Sequence, residues 1–428
     1  YQFHWKRFLL ENFPKGTAFP KLDAPAINEA DLPLSTAQAF SIDDSATTEI
    51  DDALSVQGLG SGTVTVGIHI AAPGLAIRPN DAIDQVGRTR LSTVYMPGYK
   101  ITMLPDALVQ SYTLQEGRDC PAVSLYVTLD EATLEIQKHE SKIERVRIAH
   151  NLRHDKLDTI VVDEWLYNPD FEHDNTPEPL PALRSQLAFL HRLAKDLKAK
   201  REVIRGKPET FNRPDYNFRL VRPDASYGEP TGDEIVQITT RQRGAPLDLI
   251  VAEAMILANS TWGAWMGEIG VPAIYRSQYS MAPGIKVRMG TKALPHAGMG
   301  VKCYAWSSSP LRRYVDLVNQ WQIIACIQHG NMAGLAAPFK QKDASLFSII
   351  SSFEDTYSAY NGYQNAMERF WTLQYLQQNH ITELEASIIK DGLVRADTLP
   401  LVFPILGGQN LPRGARVRVQ LGAADLIA

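Results

Sequence analysis

The chain reads as an α+β protein, a large domain of strands followed by long helices and then a small β-barrel of the OB type. Three observations carry that reading. Strand-like runs dominate from Phe40 to Ile148, helical periodicity takes over from Leu183 to Asn379, and short strand-like pieces return after His380.

The first 35 residues hold an aromatic, helix-forming piece, Phe3-His-Trp-Lys-Arg-Phe-Leu-Leu10, and then Pro14, Pro20, Pro25 and Pro33. Proline breaks regular structure, so residues 1–35 are expected to be an N-terminal segment and linker, the end of a preceding domain. Ala53 to Val56 and Thr63 to Ile70 read as a hairpin around Gly58-Leu-Gly-Ser-Gly62. Ala122 to Leu129 and Ile136 to Ile148 read as a second strand pair. Helices are expected over Leu183 to Arg205, Pro246 to Met266, Pro310 to His329 and Asp343 to Asn379, with Pro310 in a first turn, where a missing N–H costs nothing. Residues 36–380 form the expected main domain. Residues 381–428, with turns at Asp-Gly, Gly-Gly-Gln-Asn and Pro-Arg-Gly, form the expected barrel, short for a complete one.

With 428 residues, 44% hydrophobic and 21% charged, the composition is that of an ordinary globular protein and excludes disorder, collagen and coiled-coil classes. Its richest apolar region, Leu247 to Tyr275, is interrupted by Asp248, Glu253 and Glu268, so no membrane span is expected. Three scattered cysteines, Cys120, Cys303 and Cys326, argue against a disulfide framework and against zinc, and fit a reducing cytoplasm. A net charge of −5 gives no global sign of nucleic acid. Lys195 to Arg222 is locally basic, nine Lys/Arg against four Asp/Glu, and taken alone is a solvated helix face.

The richest chemistry lies in Phe40-Ser-Ile-Asp43-Asp44-Ser-Ala-Thr-Thr-Glu49-Ile-Asp51-Asp52-Ala-Leu54. Crowded carboxylates shielded from water repel one another and call for a cation, and hard oxygen ligands suit Mg²⁺, with Mn²⁺ as the alternative. An exposed acidic turn is the ordinary explanation of such a run. Here Phe40, Ile42, Ile50 and Leu54 tie it to buried strands, which favours the metal. A second stretch, Tyr304-Ala-Trp-Ser-Ser-Ser-Pro310-Leu-Arg312-Arg313-Tyr314-Val-Asp316, sets hydroxyls, N–H groups and two arginines where an anion could be gripped.

Together the two stretches resemble the ribonuclease II (RNB) family of 3′→5′ exoribonucleases. Supporting motifs follow in the family's order: His69-Ile-Ala-Ala-Pro73, Tyr95-Met-Pro-Gly-Tyr-Lys-Ile-Thr-Met-Leu-Pro105, Phe211-Asn-Arg-Pro-Asp-Tyr216, Val251-Ala-Glu253-Ala-Met-Ile-Leu-Ala-Asn259, Ile274-Tyr-Arg276 and Pro295-His-Ala-Gly-Met-Gly300. The resemblance covers roughly residues 36 to 380, and in this order the motifs are specific. It implies an RNB catalytic domain, a mixed sheet with long helices, trailed by an S1-type OB barrel.

It also implies residue roles. Asp43, Glu49, Asp51 and Asp52 would form the acidic metal set, with Asp43 and Asp52 on one Mg²⁺ and Asp51 on the second metal or its water. Arg312 would grip the scissile phosphate. Tyr95 and Phe211 would stack on terminal bases, Glu253 would contact the terminal ribose, and Glu368 matches a family glutamate of open role. Three departures stand out: Glu49 where the family carries Asp, Ala72 where it carries Asp, and His154 where a tyrosine can help select RNA. Isolated, Tyr95 and Phe211 would pass for core aromatics, and His69 for a core histidine. The expected activity is Mg²⁺-dependent, hydrolytic, processive 3′→5′ degradation of single-stranded RNA to nucleoside 5′-monophosphates by a monomer. The rivals are an RNB-fold binding protein that has lost cutting, and a Mg²⁺-dependent phosphatase of small esters.

Overall fold

The computed structural model describes residues 1–23, 26–222 and 228–427. Its centre is a closed five-stranded barrel of β1 (Leu34–Asp43), β2 (Asp52–Gln57), β3 (Thr63–Ala71), β4 (Asp119–Asp130) and β5 (Ile136–Arg153). The strands run antiparallel in order, and β1 closes the ring parallel to β5, with Asp43 opposite Arg153. The sheet is therefore mixed, as expected, but curled shut, which removes its edges. Both predicted strand pairs form, and β2 and β3 turn at the glycine-rich loop.

Inward-facing Leu54, Val66, Ile68, Val123, Leu125 and Val127 join the core of the long helices. His69 points to the opposite face of the sheet from Ile68, between the hydroxyls of Ser55 (2.8 Å) and Ser124 (2.7 Å). Burial pushes its pKa down to about 3, so it stays neutral and structural.

Four long helices carry the rest: α2 (Leu180–Arg205), α3 (Pro246–Glu268), α4 (Tyr314–His329) and α5 (Ala344–Gln378), preceded by α1 (Gln2–Asn12). Three match their expected bounds to within a few residues. The fourth does not: α4 starts at Tyr314, and Pro310 to Arg312 form a turn before it. That turn spends its backbone on tertiary partners. Leu311 N–H donates to Asp51, and Thr93 N–H donates to Arg312 O. The first segment is more than a linker, because Trp5 and Phe8 of α1 bury against Tyr360, Tyr363, Phe370 and Trp371 of α5. No helix among the described residues is long and apolar enough to cross a membrane.

The C-terminal piece differs from the expected barrel. β6 (Glu383–Lys390), β7 (Leu393–Ala396), β8 (Val402–Pro404) and β9 (Arg416–Gln420) form an open antiparallel sheet in the order β8-β7-β6-β9. An OB barrel takes five strands, and the four described here leave both edges unpaired.

Candidate active site

The acidic segment bridges β1 and β2 at the barrel's end, and its backbone is pinned. Ile50 N–H donates to Thr113 Oγ1 at 2.8 Å, Leu114 N–H donates to Ile50 O, and Ala71 N–H donates to Asp51 O. Glu49 and Asp51 are consequently buried, at 6% and 4% exposure, which the ordinary acidic turn would not be.

Asp51 Oδ1 accepts the Leu311 N–H at 2.9 Å, and Oδ2 lies 3.9 Å from Arg312 Nε. Burial nevertheless raises its pKa to about 8; Arg312 and the Leu311 N–H pull it down less than burial and the nearby Asp316 and Glu49 push it up. Asp52 is raised well above the ordinary carboxylate value by burial and then by Asp43 and Asp51. Asp43 rises to about 6, chiefly by burial, opposed by Ser41 and Arg153. Its Oδ2 is buried and finds no hydrogen-bond partner among the described residues. An orphaned carboxylate oxygen beside mutually repelling acids is what a divalent cation would satisfy, so the donor set fits Mg²⁺ or Mn²⁺.

Glu49 has other company. Its Oε2 lies 3.0 Å from Lys100 Nζ and accepts the Tyr95 hydroxyl at 3.4 Å. Tyr95 and Lys100 are directly paired residues of the hairpin Val94–Met96/Tyr99–Ile101, so both side chains leave one face. Pro97-Gly98 makes the two-residue turn, with Gly98 at φ +73°. A Cβ on Gly98 would strike Leu220, so both the angle and the space require glycine.

The turn before α4 is fixed behind this centre. Arg313 Nη2 and Ser309 N–H both donate to Asp316 Oδ2 at 2.9 Å, and Asp316 is fully buried. Trp306 is sandwiched between the guanidiniums of Arg276 (3.9 Å) and Arg313 (4.0 Å). Arg312 is thus the arginine of the pair left partly open, at 37% side-chain exposure, on the acidic side.

A family model described as the RNB domain matches residues 32–285 and 279–329, more than half of the sequence and every residue of the acidic centre just described. The chain belongs to the RNB family. An uncharacterized ribonuclease of Synechocystis sp. is 27% identical over 425 residues, covering 92% of this chain and 58% of its own. The chain therefore spans little more than half the length of that relative. Among solved structures, RNase R of Mycoplasma genitalium in complex with ribose methylated single-stranded RNA superposes at a TM-score of 0.75 with 15% identity, covering 99% of this chain and 76% of its own. Yeast Ssd1, titled a pseudonuclease, does so at 0.67 with 16% identity, covering 97% and 55%. At these identities the two structures speak for the fold.

Within the RNB domain, the expected site residues divide. Asp43, Glu49, Asp51, Asp52, Tyr95 and Arg312 come together, since Tyr95 touches Glu49 and its hydroxyl feels Arg312 and Asp51. Phe211 sits elsewhere, 38% exposed, with Lys198 Nζ 5.1 Å and the Arg243 guanidinium 5.9 Å from its ring. Glu253, expected at the terminal ribose, is engaged within the protein. Both of its oxygens are taken by Arg201, Oε2 at 3.1 Å from Nε and Oε1 by Nη2, inside α2 and α3. A carboxylate buried to 2% exposure needs a full partner, and Arg201 supplies it. Glu368 lies half-buried on α5, where Gln364 Nε2 donates to it at 3.2 Å, and burial raises its pKa.

His154 follows β5 directly, and burial and Arg241 lower the pKa of its imidazole. With Asp44 and Asp155 it forms a trio whose ligand atoms lie within 4.8 Å of one another. Asp155 is already engaged there, accepting the Ser45 N–H and hydroxyl at 2.9 Å each. The sequence reading missed Lys100, Arg201, Asp316 and the Trp306 sandwich. Asp316 was legible as the acid three residues after Arg313, on the same helical face.

Proposed function

We propose that this chain is the catalytic portion of a divalent-metal-dependent, processive exoribonuclease that shortens single-stranded RNA from its 3′ end to nucleoside 5′-monophosphates. The observation that carries it is the buried Asp51, fixed by Leu311 N–H and facing Arg312, beside Asp43 and Asp52 with an orphaned oxygen.

Asp43 and Asp52 would hold the metal, with Asp51 next to them. Bound there, Mg²⁺ supplies activation of a water and stabilisation of the leaving 3′ oxygen. The chain's own residues do the rest. Arg312 meets the non-bridging oxygens of the scissile phosphate and offsets the charge that builds on them. Asp51, held rigid by its backbone donor, orients the attacking water in line. Tyr95 lines the cleft over the acids, and Phe211, flanked by two cations, offers a stacking face to a base. We take His154, at the end of β5, and Glu368, on α5, as further contacts of the RNA. Glu253 acts through Arg201 as a wall of the domain. Three buried thiols without disulfides fit a reducing, cytoplasmic setting, and we take the working unit to be a monomer.

The binding-protein reading draws on the likeness to a pseudonuclease fold. Retention of Asp43, Asp51, Asp52 and Arg312 in one cluster disfavours it. The deciding experiment is incubation of a 5′-labelled single-stranded RNA with Mg²⁺ or with EDTA. A ladder shortening from the 3′ end in Mg²⁺ alone is expected. Cutting of a circular RNA, full activity in EDTA, or release of phosphate from small esters with no action on RNA would refute the proposal.

A further inference from the structure

The Glu49 carboxylate is directed to the hairpin Val94–Met96/Tyr99–Ile101. Lys100 Nζ lies 3.0 Å from Oε2 and also donates to Thr48 Oγ1, so the ammonium is held from two sides. Tyr95 adds its hydroxyl to the same oxygen. Glu49 is 3% and Lys100 18% exposed at the side chain, so little water screens the pair.

We propose that Lys100 is the built-in cation of this acidic centre: it keeps Glu49 out of metal coordination, so that the centre takes one divalent ion, on the Asp43–Asp52 side, rather than two. This rests on the metal-dependent reading above and goes beyond it. Three arguments support it. The first is charge. Five carboxylates, Asp43, Asp44, Glu49, Asp51 and Asp52, face three fixed cations, Lys100, Arg153 and Arg312. The remainder is matched by a single divalent ion. Asp316, behind the centre, is already paired with Arg313.

The second is position. A metal ligated by Glu49 Oε2 would have to share that oxygen with an ammonium already at contact distance, and like charges that close repel strongly in a shielded site. The Lys100 ammonium is held there by two partners, Glu49 Oε2 and Thr48 Oγ1, and strand pairing with Tyr95 sets the face from which its side chain leaves. The third is the orphaned atom. Of the acids on the segment from Asp43 to Asp52, the one with a buried oxygen that lacks a partner is Asp43, not Glu49; Asp316 Oδ1 behind the centre also lacks one, while its Oδ2 is held by Arg313. Lys100 is thus a positioning residue, acting through Glu49.

The test counts Mn²⁺ on the full chain by equilibrium dialysis and electron paramagnetic resonance, with and without a 2′-O-methylated single-stranded oligoribonucleotide. One Mn²⁺ per chain is expected, with an uncoupled spectrum. Glu49→Gln should keep that ion with affinity changed by less than about tenfold, the low end of what loss of an outer partner costs. Asp52→Asn should lose it. Lys100→Met should admit a second Mn²⁺ whose coupling to the first appears in the spectrum, while Lys100→Arg should not. Two coupled Mn²⁺ ions on the unaltered chain, or loss of the sole ion in Glu49→Gln, would overturn the proposal and leave the metal-dependent reading standing. No Mn²⁺ bound at all would overturn both.

Discussion

Arg201 closes its guanidinium on both oxygens of Glu253, joining α2 to α3 through a pair that is almost wholly removed from water. The same guanidinium also reaches Glu209 and Met299 O at 2.7 Å. One arginine therefore ties two helices and two loops, and Glu253 is its most buried partner.

Truncating Glu253 should accordingly be a stability lesion. Glu253→Ala leaves Arg201 buried without its main counter-charge and should cost about 3–5 kcal/mol. Glu253→Gln, which keeps the shape and one acceptor, should cost less. Urea midpoints measure both. The preference of the folded variants for RNA over matched DNA should stay at the level of the unaltered chain. A variant of full stability with relaxed sugar choice would instead make Glu253 a reader of the ribose 2′-hydroxyl.

Phe211 should behave in the opposite way. Its ring is exposed and flanked by Lys198 and Arg243, so Phe211→Ala should shift stability by no more than about 0.5 kcal/mol. If a base stacks there, affinity for a short single-stranded RNA should fall by about 1–3 kcal/mol. Unchanged affinity at unchanged stability would remove Phe211 from the RNA path.

The contrast between these two residues shows what sequence could and could not reveal. Strand alternation and helical periodicity located β2 to β5 and all four long helices, because those patterns are local. Closure of the barrel was not legible: β1 pairs with β5 across roughly a hundred residues, and nothing in either strand names its partner. Asp51 and Arg312 were legible through their motifs. Lys100 was not, since a lysine in a short strand ordinarily faces solvent, and only the pairing with Tyr95 turns it toward Glu49. Arg201 was hidden in a basic helix whose other charges are mostly surface groups. The α4 start was misplaced because Pro310 suits a first turn, while Asp51, 260 residues earlier, claims the neighbouring N–H.

The acidic cluster should make the metal-free chain sensitive to alkali. Asp51 is raised from 3.8 to about 8 and Asp43 from 3.8 to about 6, mainly by burial. Between 3.8 and those values the folded state binds more protons than the unfolded chain. Unfolding free energy therefore falls as pH rises through that window, with the contribution complete below 3.8 and gone by about 8. In EDTA the urea midpoint should drop between about pH 5 and about pH 8, and Mg²⁺ should restore it at the upper end by binding the ionised form. A midpoint independent of pH across that range would show that the carboxylates are solvated after all.

Asp51→Asn tests the centre most directly. The amide keeps the shape of the carboxylate and can still accept the Leu311 N–H through its carbonyl oxygen, so the turn before α4 should stay in place. One negative charge leaves a cluster in which burial and neighbouring acids already oppose ionisation, so metal-free stability should hold or rise slightly. Arg312 loses its nearest counter-charge and becomes freer to meet phosphate, and a charge that repels RNA is gone; affinity for RNA should therefore hold or tighten. Release of mononucleotides should fall by orders of magnitude, because orienting the attacking water matters in the transition state rather than in the bound complex. Binding measured by fluorescence anisotropy and turnover measured by mononucleotide release separate the two effects in one variant. Substantial release by Asp51→Asn would take the catalytic role away from Asp51, and weakened RNA binding together with lost folding would make it a structural acid.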